Sequence, residues 1–224
     1  EEEWVTYSFV VVMSPHGNDE RASGWPGRPT PTAAGGAVAK PFATFAGAFK
    51  ALEQLVADNP VPWWLAIAKP VSTVLMLPGQ YDHACDRAAD AVFNESLTLL
   101  TSLPGFERAR TRVDCHGRGR AIAFHNDDTD VRGITFVGGR DRRGGLFEVL
   151  GGHVRFFGCE VEGGEAANGG CFYVANDALL RLRRTRIRGC RAPGGNGGGM
   201  LVSQGQVIVK DGVSISNCSA AVGS

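Results

Sequence analysis

The chain has 224 residues with 23 basic and 23 acidic side chains, and a formal net charge of zero argues against a dedicated nucleic-acid binder. Apolar residues make up 43% and charged residues 21%, which suits a buried core and speaks against wholesale disorder. The longest apolar stretches, residues 9–13 and 61–68, are too short to cross a bilayer, so this segment is not expected to insert in a membrane. Tyr7, Phe9 and Val11 alternate as a strand, and residues 14–37 follow as a loop rich in glycine and proline. Residues 41–58 place Phe42, Phe45, Phe49, Leu52 and Val56 at spacings of 3, 4, 3 and 4, which predicts an amphipathic helix. Residues 72–77 read as a strand that stops at Pro78-Gly79.

Beyond this point glycine dominates: of 31 in the chain, ten lie in residues 1–132 and 21 in the last 92. They have a period. Gly144-Gly145-Leu146-Phe147, Gly169-Gly170-Cys171-Phe172 and Gly198-Gly199-Met200-Leu201 begin 25 and then 29 residues apart. Each is followed by a turn (Gly151-Gly152, Asn176-Asp177, Gln204-Gly205) and a second β-rich run, at 154–161, 180–187 and 208–215, with an earlier copy at 129–136. Short strands repeating every 25 residues or so predict a solenoid. The leucine and asparagine ladder of leucine-rich repeats is missing, and period-two alternation excludes helical repeats.

Aligning the second runs gives one column of Phe136, Val161, Ile187 and Ile215 and another of Ile134, Cys159, Thr185 and Val213, which point inward. Between them lie Thr135, Glu160, Arg186 and Ser214, and Val137, Glu162, Arg188 and Ser216, which point outward. Strands in successive coils sit about 4.8 Å apart, so Glu160 faces Arg186 and Glu162 faces Arg188. The arginine run at 181–188 is therefore read as a solvated outer face in preference to an anion-binding patch. A solenoid's apolar end needs a cover, so Phe42, Phe45 and Phe49 are expected to be cap contacts and not a ligand pocket.

The stretches at 10–20 (VVVMSPHGNDE), 40–48 (KPFATFAGA) and 72–81 (STVLMLPGQY) resemble, in order, the start of pectate-lyase-like right-handed parallel β-helix proteins. Asp114-Cys115-His116-Gly117, Gly133-Ile134-Thr135-Phe136 and the Gly-Gly repeats are similar to coils of the polymorphic-outer-membrane-protein type found in large algal and protist surface proteins. The sequence departs from the pattern in a long loop after Asp19 and in residues 59–70, which insert a Trp63-Trp64 pair. The resemblance implies an all-β, right-handed parallel β-helix with an N-terminal amphipathic capping helix. It divides into a strand, loop and cap over 1–70 and coils over 71–224, one continuous domain. The chain stops at Ser224 just after a complete coil, which suggests that it continues further or that this end stacks on a partner.

Enzymes of that family act on an outer face of the coil; lyases pair a calcium-binding carboxylate group with an Arg or Lys base, and hydrolases use two or three carboxylates. The densest acidic group is Asn126-Asp127-Asp128-Thr129-Asp130, beside His125 and Arg132. Asp127, Asp128 and Asp130 with Arg132 form the candidate catalytic set, with Ca2+ as its cofactor. The competing and favoured reading is a corner between strands at 121–124 and 131–136, where Asn and Asp serve the backbone. His16, His83, His116, His125 and His153 show no metal-ligand spacing, and no Cys-x-x-Cys occurs. Gly117-Arg118-Gly119-Arg120 and residues 194–199 lack the end of a P-loop and read as corners. Trp63 and Trp64 either stack on sugar rings or staple the insertion to the cap, and Trp25 is equally open.

Among six cysteines, Cys190 and Cys218 each follow an inward residue by three and are expected to stack in successive coils within disulfide range. Cys159 sits in an inward column as a small core residue. Asn94-Glu95-Ser96 and Asn217-Cys218-Ser219 are N-glycosylation acceptors. The leading expectation is a non-catalytic structural or adhesive module, extracellular or at the cell surface, whose partners are other extracellular proteins, further copies of itself or glycans, and not nucleic acid. The alternatives are a polysaccharide lyase or related enzyme acting on an acidic glycan, and a carbohydrate-binding module using Trp63 and Trp64.

Overall fold

A computed structural model of the protein describes residues 8–16, 42–58, 71–85, 92–94, 99–102 and 111–222. They form a parallel β-solenoid of about five turns with one helix, as the repeats lead one to expect. The first part holds β1 (Ser8–Met13), α1 (Phe45–Asp58), β2 (Val71–Met76), β3 (Gly79–Tyr81), β4 (Val92–Asn94), β5 (Leu99–Ser102) and β6 (Thr111–Asp114). Regular coils follow. One runs through β7 (Ile122–Arg132), β8 (Thr135–Val137) and β9 (Arg140–Arg143), the next through β10 (Phe147–Phe157), β11 (Glu160–Glu162) and β12 (Glu165–Asn168). The third comprises β13 (Phe172–Ala175), β14 (Leu179–Arg183), β15 (Arg186–Arg188) and β16 (Arg191–Asn196); the last, β17 (Met200–Ser203), β18 (Gln206–Lys210), β19 (Ser214–Ser216) and β20 (Ser219–Val222). They stack into a ten-stranded sheet, a six-stranded sheet (β3, β6, β8, β11, β15, β19) and a four-stranded sheet (β9, β12, β16, β20).

The inward columns are where the alternation puts them. Phe136, Val161, Ile187 and Ile215 are in register, and the first three are fully buried, whereas Ile215 on the final described coil is 51% exposed. Outside them Glu160 lies opposite Arg186 and Glu162 opposite Arg188. Arg188 contacts Glu162 directly, and the Glu160 carboxylate lies 3.5 Å from Arg188 and 3.8 Å from Arg186. The hydrogen bond to Glu162 pushes the Arg188 guanidinium above its ordinary value. At the centre of the core Phe147 meets Phe136 and Phe156 edge-on at 4.8 Å and stacks on Phe172 at 5.0 Å.

The helix covers the N-terminal end. Phe45, Ala48, Phe49 and Leu52 are buried, and the Phe45 ring sits 6.4 Å from that of Phe136. Its N-terminus is set by Thr44, whose hydroxyl accepts the Gly47 N–H at 3.0 Å. Phe42 precedes the helix and bridges to Met13 instead. The motifs at 14–16 and 78–81 pack on one another. Gly79 has φ +144°, and a Cβ there would fall 2.4 Å from Pro15 Cγ, so only glycine fits. The Tyr81 hydroxyl is shared between the carbonyls of Met13 (2.9 Å) and Leu77 (2.7 Å), tying β1 to β2, and burial raises its pKa well above the usual phenol value.

Four expectations need correction. The last coil is shifted by one residue: Phe172 pairs with Met200, not Leu201, so the glycine column is Gly144, Gly169 and Gly197, with φ of 60°, 65° and 68° and spacings of 25 and 28. The second run of that coil likewise begins with Val207 opposite Leu180, because its corner carries Asp211 and Gly212 where the preceding one has Arg184 alone. Residues 126–130 are not a corner and Gly151-Gly152 is not a turn: they lie within the continuous strands β7 and β10, held by ladder pairing of residues 127–132 to 152–157. Residues 194–196, read as corner, belong to β16 in the small third sheet.

The fourth correction is the disulfide. Cys190 and Cys218 do stack, since Ser219 N–H donates to the Cys190 carbonyl at 3.0 Å. Cys190 nevertheless bonds to Cys171 (Cα–Cα 5.5 Å), and Cys218 is free. Stacked side chains project in parallel, and bridging requires Cβ vectors that converge. Cys171, just before β13 at the start of the same coil, faces Cys190 across the coil, whereas the same position in the last coil is Gly199. A second bridge joins Cys85 to Cys115, and Cys159 is a buried free thiol.

Candidate functional site

Because side chains alternate along a strand, β7 presents Asp128, Asp130 and Arg132 on the outer face of the long sheet, while Thr129 and Val131 point inward and are fully buried. Ladder pairing extends these positions over successive coils. Asp128 is followed by His153, Leu179 and Gln206; Asp130 by Arg155, Arg181 and Ile208; Arg132 by Phe157, Arg183 and Lys210. The structure thus brings three of the four candidate catalytic residues together; the side chain of Asp127 lies outside the described residues.

Their environment restricts what they can do. The Asp130 carboxylate contacts two guanidinium groups, Arg132 on its own strand and Arg155 on the next coil. Two adjacent positive charges disfavour a divalent cation at the same oxygens, and an arginine already bound to a carboxylate is a poor proton acceptor. Asp128 is exposed and faces His153 Nδ1 at 3.2 Å. Among the described residues no three His, Cys, Asp or Glu side chains are placed to hold a metal ion.

Next to Asp130 a groove of about 390 Å³ opens over β10, β14 and β18, lined by Asp130, Arg132, Arg155, Arg181, Arg183 and Lys210 around Phe157. Phe157 is 38% exposed although it lies mid-sheet. The guanidinium groups of Arg183 and Arg184 sit 5.7 and 5.6 Å from its ring centroid, within cation–π range. Asp211 pairs with Arg183 at 3.1 Å at the groove's edge.

Two clusters were not legible as sites in the sequence. Arg120 contacts Glu148 and pairs with Asp141 at 3.0 Å; Arg143 reaches the other Glu148 oxygen at 3.0 Å and stacks over Tyr173 at 5.2 Å. Glu148 points outward from β10 yet is buried, because the two arginines close over it. Both carboxylates of this cluster are neutralised, so it fastens strand β9 to the long sheet. Elsewhere His116 bridges Asp82 (2.9 Å) and Asp114 (3.4 Å) beside the Cys85–Cys115 bond. Hydrogen bonds from Gln80 and from His116 hold the Asp82 carboxyl below its ordinary value. The only sequence signal for either cluster is the coil spacing itself.

Trp25, Trp63 and Trp64 lie outside the described residues, as does the side chain of Asn94 on β4. Asn217 is exposed at a corner with φ +53°. Comparison with protein-family models, with curated proteins and with solved structures gives no match for this chain.

Proposed function

We propose that the chain is a non-catalytic β-helix module of a secreted or cell-surface assembly, structural or adhesive in role, built on the pectate-lyase-like plan that its N-terminal motifs resemble. The observation that carries this reading is the state of the acidic set on β7. Asp130 is held between Arg132 and Arg155, so the sheet itself consumes the carboxylate and the base that a lyase would need free. Two disulfides suit an oxidising compartment, and Asn94 and Asn217 are the positions at which a secreted glycoprotein would carry N-linked sugar. Partners of such a module are other extracellular proteins, further copies of the chain, or glycans.

Carbohydrate binding is favoured as a second reading by Phe157, an exposed ring in a cationic groove; Trp63 and Trp64 are the additional candidates from sequence. Incubation with a panel of polyuronates, with and without calcium, tests the non-catalytic reading through the ultraviolet absorbance of unsaturated uronate ends. No rise is expected. A rise that disappears in Asp128→Ala would establish a lyase.

A further inference from the structure

The arginine run at 181–188 does not form one charge-paired face. The corner at Arg184 divides it, so that Arg186 and Arg188 meet the glutamates of β11 while Arg181 and Arg183 lie on the long sheet, in the groove beside Phe157. We infer that this groove, crossing β7, β10, β14 and β18, is a binding site for a linear sulfated polysaccharide running along the solenoid axis.

Two features of the groove oppose the stability of the fold, and a third leaves charge open to an external anion. Arg155 lies directly opposite Arg181, and Arg183 directly opposite Lys210. Like charges facing each other across neighbouring strands are destabilising, and the adjacent sheet shows the ordinary solution by alternating Glu160 with Arg186. Arg181 and Lys210 are exposed and have no carboxylate partner among the described residues. Arg184, finally, adopts φ +49° at a corner where the coils on either side place Gly158 (φ 65°) and Gly212 (φ 67°). A left-handed conformation is unfavourable for arginine, yet it sets this guanidinium over the Phe157 ring.

The arrangement also selects the kind of anion. Cations recur on three successive coils, β10, β14 and β18, at the interval of about 4.8 Å between neighbouring strands, so a polymer engages more of them than a single small ion does. Arg181, Arg183 and Arg184 all belong to one coil. Asp211 already pairs with Arg183, and Asp130 is shared by Arg132 and Arg155, so the charge open to an external anion lies on Arg155, Arg181 and Lys210; sulfate esters place several ionised groups on one ring and suit the bidentate guanidinium fork. Phe157 offers an apolar floor to the C–H face of a sugar. A single-stranded nucleic acid would call for several stacking rings, whereas Phe157 is the one exposed ring among those lining the groove.

The inference deepens the adhesive reading above and rests on it, and the test separates the two. The whole chain is titrated with a heparin-type sulfated polysaccharide by calorimetry at low salt. Wild type should bind, and Arg181→Ser combined with Lys210→Ser should lose affinity by about tenfold or more without any fall in thermal stability, since like-charge contacts are relieved. Arg186→Ser combined with Arg188→Ser removes the same charge from the neighbouring face and should keep affinity within about twofold. Absence of binding, equal loss in both double variants, or equal affinity for the desulfated polymer or a single-stranded oligonucleotide would overturn the site. Binding that persists while the polymer is shortened would keep the site and overturn the non-catalytic reading.

Discussion

Replacing Cys190 with alanine isolates the part of the fold in which spacing and geometry disagree. The Cys171–Cys190 bond closes a loop with a sequence separation of 19. The chain-entropy relation for a loop of that size gives about 11 cal/mol/K, or about 3.2 kcal/mol at 25 °C. The thiol left at Cys171 is buried among apolar side chains and behaves as a small hydrophobe, so little is added to that figure. For a chain of this length the loss corresponds to a fall in Tm of about 6–12 °C. Cys218→Ala removes a half-exposed free thiol and should change Tm by under about 2 °C. Cys190 is the better position to mutate than Cys171, because a Cys190 thiol released from its partner would lie beneath Cys218. The assay is thermal unfolding without reductant, with thiol mapping of the denatured wild-type chain, in which Cys159 and Cys218 should be the labelled positions among the described residues. Equal destabilisation by the two variants, or a peptide linking Cys190 to Cys218, would refute the reasoning.

Three further outcomes are expected. Gly158→Ala places a Cβ where nothing lies within 4 Å and should lose only the cost of positive φ, about 1–2 kcal/mol, whereas Gly169→Ala would set its Cβ 2.0 Å from the Phe172 carbonyl oxygen and should lose at least about twice that in urea unfolding. Burial raises the Tyr81 pKa above its unfolded value of about 10, so its contribution is complete below that pH and is lost as pH rises further; Tyr81→Phe should flatten this alkaline limb in a pH series of Tm values while losing about 1 kcal/mol at neutral pH. Exchanging the charges as Glu160→Arg with Arg186→Glu should change stability by under about 1 kcal/mol, and a larger loss in the same unfolding assay would contradict the register of β11 and β15.

The coil was legible because its signal is periodic: apolar and polar columns recur at every turn, and the opposition of Glu160 to Arg186 follows from counting alone. Counting failed where the sequence offers two equivalent registers. Gly197-Gly198-Gly199 lets a glycine pair be matched in either of two ways, and Asp211-Gly212 adds a residue that local pattern cannot distinguish from the run beside it. The small third sheet escaped notice because its strands are polar and bury only Ala166 and Ala192. For the candidate site, alternation correctly puts Asp128, Asp130 and Arg132 on one face. Beyond Arg132 on its own strand, what neutralises Asp130 comes from Arg155 on the next coil, and that depends on residues 126–130 being a strand and not a corner. The same limit hid the cationic groove. A run of arginines in sequence reads as one face until the turn at Arg184 sends its two halves onto different sheets.

The most direct test of the account is to incubate the intact chain at stoichiometric concentration with a sulfated polysaccharide of defined length and follow the mixture by size-exclusion chromatography with light scattering. A complex whose glycan is recovered at its starting length after prolonged incubation is the predicted result. Free protein and free glycan eluting separately, or a glycan recovered shorter than it began, would contradict a non-catalytic module that holds an acidic polymer on its arginine groove.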